Sequence, residues 1–291
     1  MHKPDGLQAF EKPLSVLPQA MRQLILDRLN TLTHYEPVIG IMGKRGSGKS
    51  SLCNALFRGE VSPVSNVNAC TRDALRFRLR SGRHSLVIVD LPGVGESRKR
   101  DDEYSALYSS LLPELDLILW IIKADDRAMS VDEDFYQHVI QHHQHKVMFV
   151  VNQVDKAEPC HEWDTSNQRP SSRQWETINE KKDAVQQLFR PNNPVCLVSA
   201  RTGWGLEGMV ETMMSCLPDN ATSPLITQLN ERYCTDAVKK QASDGFSQSV
   251  GRVFDAAVAA PLLAPSLQKV IHTVRNTVVS VARAVWRWIF C

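Results

Sequence analysis

Residues 43–50 read Gly43-Lys44-Arg45-Gly46-Ser47-Gly48-Lys49-Ser50, with the apolar run Pro37 to Met42 in front and a helix-like stretch, Ser51 to Phe57, behind. The spacing is G-x-x-x-x-G-K-S, and a strand before it with a helix after it is the setting a phosphate-binding loop needs. Glycines let the backbone curl so that successive N–H groups face one concavity, and the following helix adds its positive N-terminal end. Polyphosphate oxygens fit that concavity. Lys49 is expected to reach the β- and γ-phosphates, and the Ser50 hydroxyl to ligate the accompanying Mg²⁺. Gly43, Lys44, Arg45, Gly46, Ser47, Gly48 and Ser51 complete the part of the nucleotide site expected from this stretch.

Outward from the loop, β-like apolar runs alternate with helical patterns: Val38 to Met42, Ala74 to Leu79, Leu86 to Val89, Leu117 to Ile122, Val147 to Val151 and Val195 to Val198. Such alternation predicts an α/β fold, a mostly parallel sheet covered by helices. Before it, Leu17, Met21, Leu24, Ile25, Leu29 and Leu32 recur at helical spacing, so an amphipathic helix is expected within 1–36. The nucleotide-binding unit then covers 37–219, with a polar stretch at about 156–180 read as an insertion or long loop. Past Pro218 the alternation stops, and 220–291 reads as helical, broken by Pro261 and Pro265. Its last stretch places Ile271, Val274, Val278, Val281, Val285 and Trp288 on one stripe, with Lys269, Arg283 and Arg287 opposite. Packing of that stripe on protein is one reading. A peripheral membrane contact, encouraged by Trp286, Trp288 and Phe290, is the other.

At 291 residues, 43% apolar and 23% charged, the chain can bury a substantial core. A net charge of +2 is too small to argue for nucleic acid by itself. Seven cysteines without paired C-x-x-C spacing suit reduced thiols, hence a cytoplasmic setting. No signal peptide and no bilayer-spanning apolar run is read. His138, His142, His143 and His145 crowd one segment, but without further placed ligands they read as a solvated helix end rather than a metal site. Cys53, Cys196 and Cys216 read as packing residues.

Three further motifs narrow the nucleotide. Asp90-Leu91-Pro92-Gly93 follows a strand, so its carboxylate can hold Mg²⁺ through water and the Gly93 N–H can approach a γ-phosphate. Asn152-Gln153-Val154-Asp155 ends the next long strand, where a carboxylate can accept both the ring N–H and the exocyclic amine of guanine. Ser199-Ala200-Arg201 ends the last strand, where backbone amides and a short hydroxyl can support the base and Asp155.

This ordered series, over roughly Pro37 to Leu217, resembles the translation-factor-related GTPases of the Era/TrmE/EngA branch, and within it the YeeP/YfjP/YkfA-like group of prophage-associated bacterial GTPases. The resemblance implies a Ras-like P-loop domain that binds GTP and GDP and hydrolyses GTP as a molecular switch. Cys70-Thr71-Arg72-Asp73 resembles the branch's first-switch signature, implying that Thr71 contacts Mg²⁺ and the γ-phosphate only in the GTP state. It also makes Lys49, Thr71 and Gly93 the expected catalytic set, and Ser50, Thr71 and Asp90 the expected metal set. Three positions depart from the pattern. Gln153 stands where the base-recognition box has Lys, Gly46 where potassium-activated members have Asn, and Val94 where a water-orienting Gln would follow Gly93. Unassisted hydrolysis is therefore expected to be slow. By analogy the target is the ribosome or RNA. The alternatives are a membrane-associated GTPase and a nucleotide-dependent interaction module with little turnover.

Overall fold

The computed structural model describes residues 7–58, 60–63, 74–91, 107–258 and 265–290. Their strands are β1 (Val38–Met42), β2 (Glu60–Pro63), β3 (Leu75–Ser81), β4 (His84–Asp90), β5 (Leu117–Lys123), β6 (Val147–Asn152) and β7 (Cys196–Leu197). They form one sheet in the order β2-β3-β4-β1-β5-β6-β7. β1 runs parallel to β4 and β5, β5 to β6, and β6 to β7, while β3 pairs antiparallel with β2 and β4. The mostly parallel α/β sheet expected from the alternation is therefore present. β2 escaped the sequence reading because Glu-Val-Ser-Pro carries no apolar run.

Both faces of the sheet are buried, and the side-chain period of two shows which residues serve which face. Leu117, Leu119 and Ile121 of β5 join Ile39 and Ile41 of β1 and Met148 and Val150 of β6 in one core. Ile118, Trp120 and Ile122 join Met42, Phe149 and Val151 in the other. On that second face lie α4 (Ser130–Phe135) and α5 (Ser172–Phe189). There Trp120 stacks on Phe149 with ring centroids 5.3 Å apart, and Tyr136 and Phe189 meet edge to face at 5.6 Å.

The first face carries α1 (Gln8–Leu14), α2 (Gln19–Thr33), α3 (Lys49–Leu56), α6 (Leu206–Cys216), α7 (Asp219–Ile226), α8 (Asp236–Val258) and α9 (Pro265–Phe290). Phe10 and Leu14, Ile25 and Leu29, Phe246 and Val250, and Ile271 and Val278 all enter the core that reaches the sheet. Two differences from expectation appear at the N-terminal end. α1 precedes the anticipated helix and ends at Leu14, and Pro18, extended (φ −52°, ψ 144°), stands at the start of α2. Leu24, expected on the apolar stripe, is instead 46% exposed. The stretch read as an insertion over 156–180 also divides. A capping box between Ser171 and Gln174 starts α5 at Ser172, so only the residues before it are irregular.

The stripe on α9 is shifted by its actual helical phase. Ile271, Val274, Val278, Ala282, Val285, Trp286 and Phe290 are buried, whereas Trp288 is 65% exposed. Trp286 donates its indole N–H to Ser223 Oγ at 2.8 Å, and that hydroxyl donates to the Ala242 carbonyl at 2.9 Å. Phe290 lies against His84, ring centroids 4.8 Å apart, which fastens α9 to the start of β4. Trp286 and Phe290 are thus committed to the protein interior, and only Trp288 remains of the aromatic set that encouraged a membrane reading. No helix among the described residues is long and apolar enough to cross a membrane. Urea denaturation should show Trp286→Ala losing about 3–5 kcal/mol of stability, the usual cost of emptying a large aromatic site. Trp288→Ala should stay within about 0.5 kcal/mol of the parent protein.

Candidate nucleotide-binding site

The loop 43–50 turns between β1 and α3 at the carboxyl end of the sheet, where ligands of parallel α/β folds sit. Two glycines are demanded by geometry. Gly43 has φ +143° and a Cβ there would lie 2.3 Å from the Ile121 carbonyl; Gly48 has φ +92° and its Cβ would lie 2.4 Å from Asn152 Nδ2. Lys49, at the start of α3, donates to the Gly43 carbonyl at 2.9 Å and so spans the loop it serves. Ser50 and Ser51 follow on the exposed first turn, and Arg45 and Gly46 are exposed on the loop itself.

The strand ends β6 and β7 are brought to the same place. Asn152 is fully buried, donates its amide to the Ser47 carbonyl at 2.9 Å and accepts the Ala200 N–H at 3.1 Å. Gln153 takes a left-handed conformation, φ 64°, and donates Nε2 to the Gly46 carbonyl at 2.7 Å. The residue that departs from the family pattern therefore contacts the phosphate-loop backbone through its amide. Asp155 is buried. Ser199 Oγ donates to its Oδ1 at 2.5 Å, and Arg201 donates to Oδ2 from Nε at 2.9 Å and lies within 2.8 Å through Nη2. Support of Asp155 by the short hydroxyl is as expected. The ion pair with Arg201 was not foreseen.

Lys49, Ser50 and Asp90 line one cavity of about 470 Å³ with Ile41, Cys53 and Ile88. Burial raises the Asp90 carboxyl above its ordinary range, and the Lys49 charge partly offsets that. Asp90 Oδ1 is buried without a hydrogen-bond partner among the described residues. An orphaned carboxylate oxygen and a serine hydroxyl facing one cavity are the hard oxygen donors that Mg²⁺ takes, so these residues fit the ion. Thr71 and Gly93, with Arg72 and Val94, lie outside the described residues.

A charged cluster beneath the loop was missed in the sequence. Lys44 pairs with Asp126 at 2.9 Å and with Asp132 at 3.0 Å, and also donates to the Ala128 carbonyl. Burial works against the Lys44 charge, yet the two carboxylates outweigh it and hold its pKa above the ordinary value. Asp132, nearly inaccessible, is raised by burial and restrained by Lys44. The acidic residues following β5 were the available signal, but nothing in their spacing names Lys44 as their partner.

The discounted groups stay apart from this chemistry. His138 Nδ1 lies 2.8 Å from the Asp134 carbonyl, the rings of His143 and His145 are 6.5 Å apart, and no metal-holding cluster occurs among the described residues. Burial pushes the Cys53 thiol up to about 12 and Cys216 to about 11, and also raises Cys196, so all three are packing thiols rather than thiolates.

Comparison with known proteins agrees with this geometry. The family described as 50S ribosome-binding GTPase matches residues 38–153. YkfA of Escherichia coli strain K12 is 52% identical over 291 residues, covering 100% of both chains. YfjP of the same organism is 53% identical over 285 residues, covering 98% of each. GTPase Era of Aquifex aeolicus is 28% identical over 185 residues, 62% of this chain and 56% of Era's own length. If Gln153 does hold the loop, Gln153→Ala should weaken GDP binding about three- to tenfold in a calorimetric titration, the worth of one lost hydrogen bond. Gln153→Lys, which can reach the same carbonyl, should stay within about twofold of the parent.

Proposed function

We propose that this chain, which belongs to the Era-like P-loop GTPases together with YkfA and YfjP and therefore binds and hydrolyses GTP, acts as a molecular switch whose turnover is slow until a partner completes the site. The observation that carries the reading is that Asn152 and Gln153 bond the phosphate loop directly, while Ala200 bonds Asn152 and Ser199 bonds Asp155. The carboxylate suits guanine, whose ring N–H and exocyclic amine are two adjacent donors; adenine lacks that pair.

In this reading, water attacks the γ-phosphate in line with the leaving oxygen, and Lys49 and the loop amides stabilise the charge that develops. Ser50 and Asp90 would hold Mg²⁺, joined by Thr71 as the family resemblance implies; bound there, the ion neutralises phosphate charge. Lys49 is anchored to the Gly43 carbonyl, so its ammonium is positioned before the substrate arrives. Val94, where a water-orienting side chain would follow Gly93, is the reason to expect a partner. The family description favours a ribosomal target, RNA or an assembly intermediate, by analogy alone.

Phosphate release from GTP and ATP, with Mg²⁺, tests this directly. The parent protein should release phosphate from GTP, and Lys49→Ala should lose about 10²-fold or more in rate. Asp155→Asn should cut the preference for GTP over ATP by about 10- to 100-fold, because one charge-assisted acceptor is lost. Unchanged turnover in the first variant, or unchanged selectivity in the second, would overturn the assignment.

A further inference from the structure

Both carboxylate oxygens of Asp155 are already engaged. Its Oδ1 takes the Ser199 hydroxyl, which is itself fixed by the Thr202 N–H at 3.2 Å, and its Oδ2 takes two nitrogens of Arg201. The carboxylate side chain is 1% exposed, whereas that of Arg201 is 69% exposed. Among the described residues, every hydrogen bond and ion pair recorded for Arg201 goes to Asp155. A buried carboxylate is thus neutralised by a side chain that is otherwise held by nothing.

We propose that Arg201 is an internal competitor for guanine: its guanidinium pairs with the Asp155 carboxylate and must leave it when a base docks. This rests on the guanine-nucleotide reading of the site and adds a means of regulating it. The chemistry of the rivalry is direct. A guanidinium offers adjacent N–H donors on a planar C–N frame, and guanine offers the same kind of pair from its ring N–H and exocyclic amine. Both need Oδ2. An uncompensated buried charge is costly, so the pair stabilises the Asp155 carboxylate, and a base that takes Oδ2 must displace it. The exposed guanidinium can swing into solvent and stay charged there. Such a residue lowers affinity for nucleotide and speeds its release without an external exchange partner. It sets occupancy without touching the reacting phosphate, so it is a positioning residue rather than a catalytic one.

The opposing arrangement, in which Arg201 stays and packs along the bound base, gives the opposite sign. Equilibrium titrations and dissociation rates with GDP and ADP on full-length nucleotide-free protein, parent, Arg201→Ala and Arg201→Gln, therefore decide between them. Competition predicts that both variants bind GDP about threefold or more tightly than the parent and release it more slowly, with ADP still weak. The gap should narrow as KCl rises, because salt screens a pair with one exposed partner. The glutamine variant keeps a hydrogen-bonding side chain without the charge, so it answers the question even if alanine perturbs the loop. Weaker or unchanged GDP binding in the variants, with ADP still excluded, overturns the competition. Equal GDP and ADP affinity in the parent protein would instead overturn the guanine reading on which it rests.

Discussion

The carboxamide of Asn152 joins what would otherwise be separate loops. Its amide nitrogen donates to the carbonyl of Ser47 and its oxygen accepts from the N–H of Ala200. An ionised aspartate of the same length could only accept, whereas the carboxamide offers a donor and an acceptor in one plane without charge. Complete burial raises the stakes, since either half left unpaired inside the protein would cost about 1–3 kcal/mol. Gly48 belongs to the same constraint. A side chain there would collide with Asn152 Nδ2, so the glycine of the phosphate loop is required as much by its neighbour as by its own backbone. Phosphate cradle and base-recognition loop are consequently one object.

The sheet supplies the platform for that object. β1, β6 and β7 end together because they run parallel in a sheet buried on both faces, and each face has its own core. On one face the core continues without a break through α3 and α6 into α8 and α9, so the C-terminal helices and the helix that bears Lys49 share packing. Lys44 adds a second anchor on the opposite side of the loop, where Asp126 and Asp132 hold it from the segment after β5. The loop is held at its start by ions and near its end by an amide.

What the sequence revealed and what it concealed divide by physical range. The phosphate loop, the strand-end motifs and the α/β alternation are written in short local spacings, and all were legible. Pairings between side chains far apart along the chain were not. Gln153 looked like a loss because the residue type changed, yet its amide reaches the Gly46 carbonyl. Asp155 looked open to a base, yet Arg201 covers one of its oxygens. The stripe of α9 was read with Trp288 inside, but the helical phase set by Ile271, Val278 and Ala282 carries Trp286 inward instead. One helix was read within 1–36, yet α1 ends at Leu14 and an extended Pro18 precedes α2.

Amide hydrogen exchange on the nucleotide-free protein, parent and Asn152→Ala, tests the coupling of the loops most directly. If the Asn152 bridge makes them one object, the substitution should speed exchange in both the phosphate loop, residues 43–50, and the segment 199–204, although it touches each through a single bond. Faster exchange confined to one segment, or unchanged in both, would contradict the account.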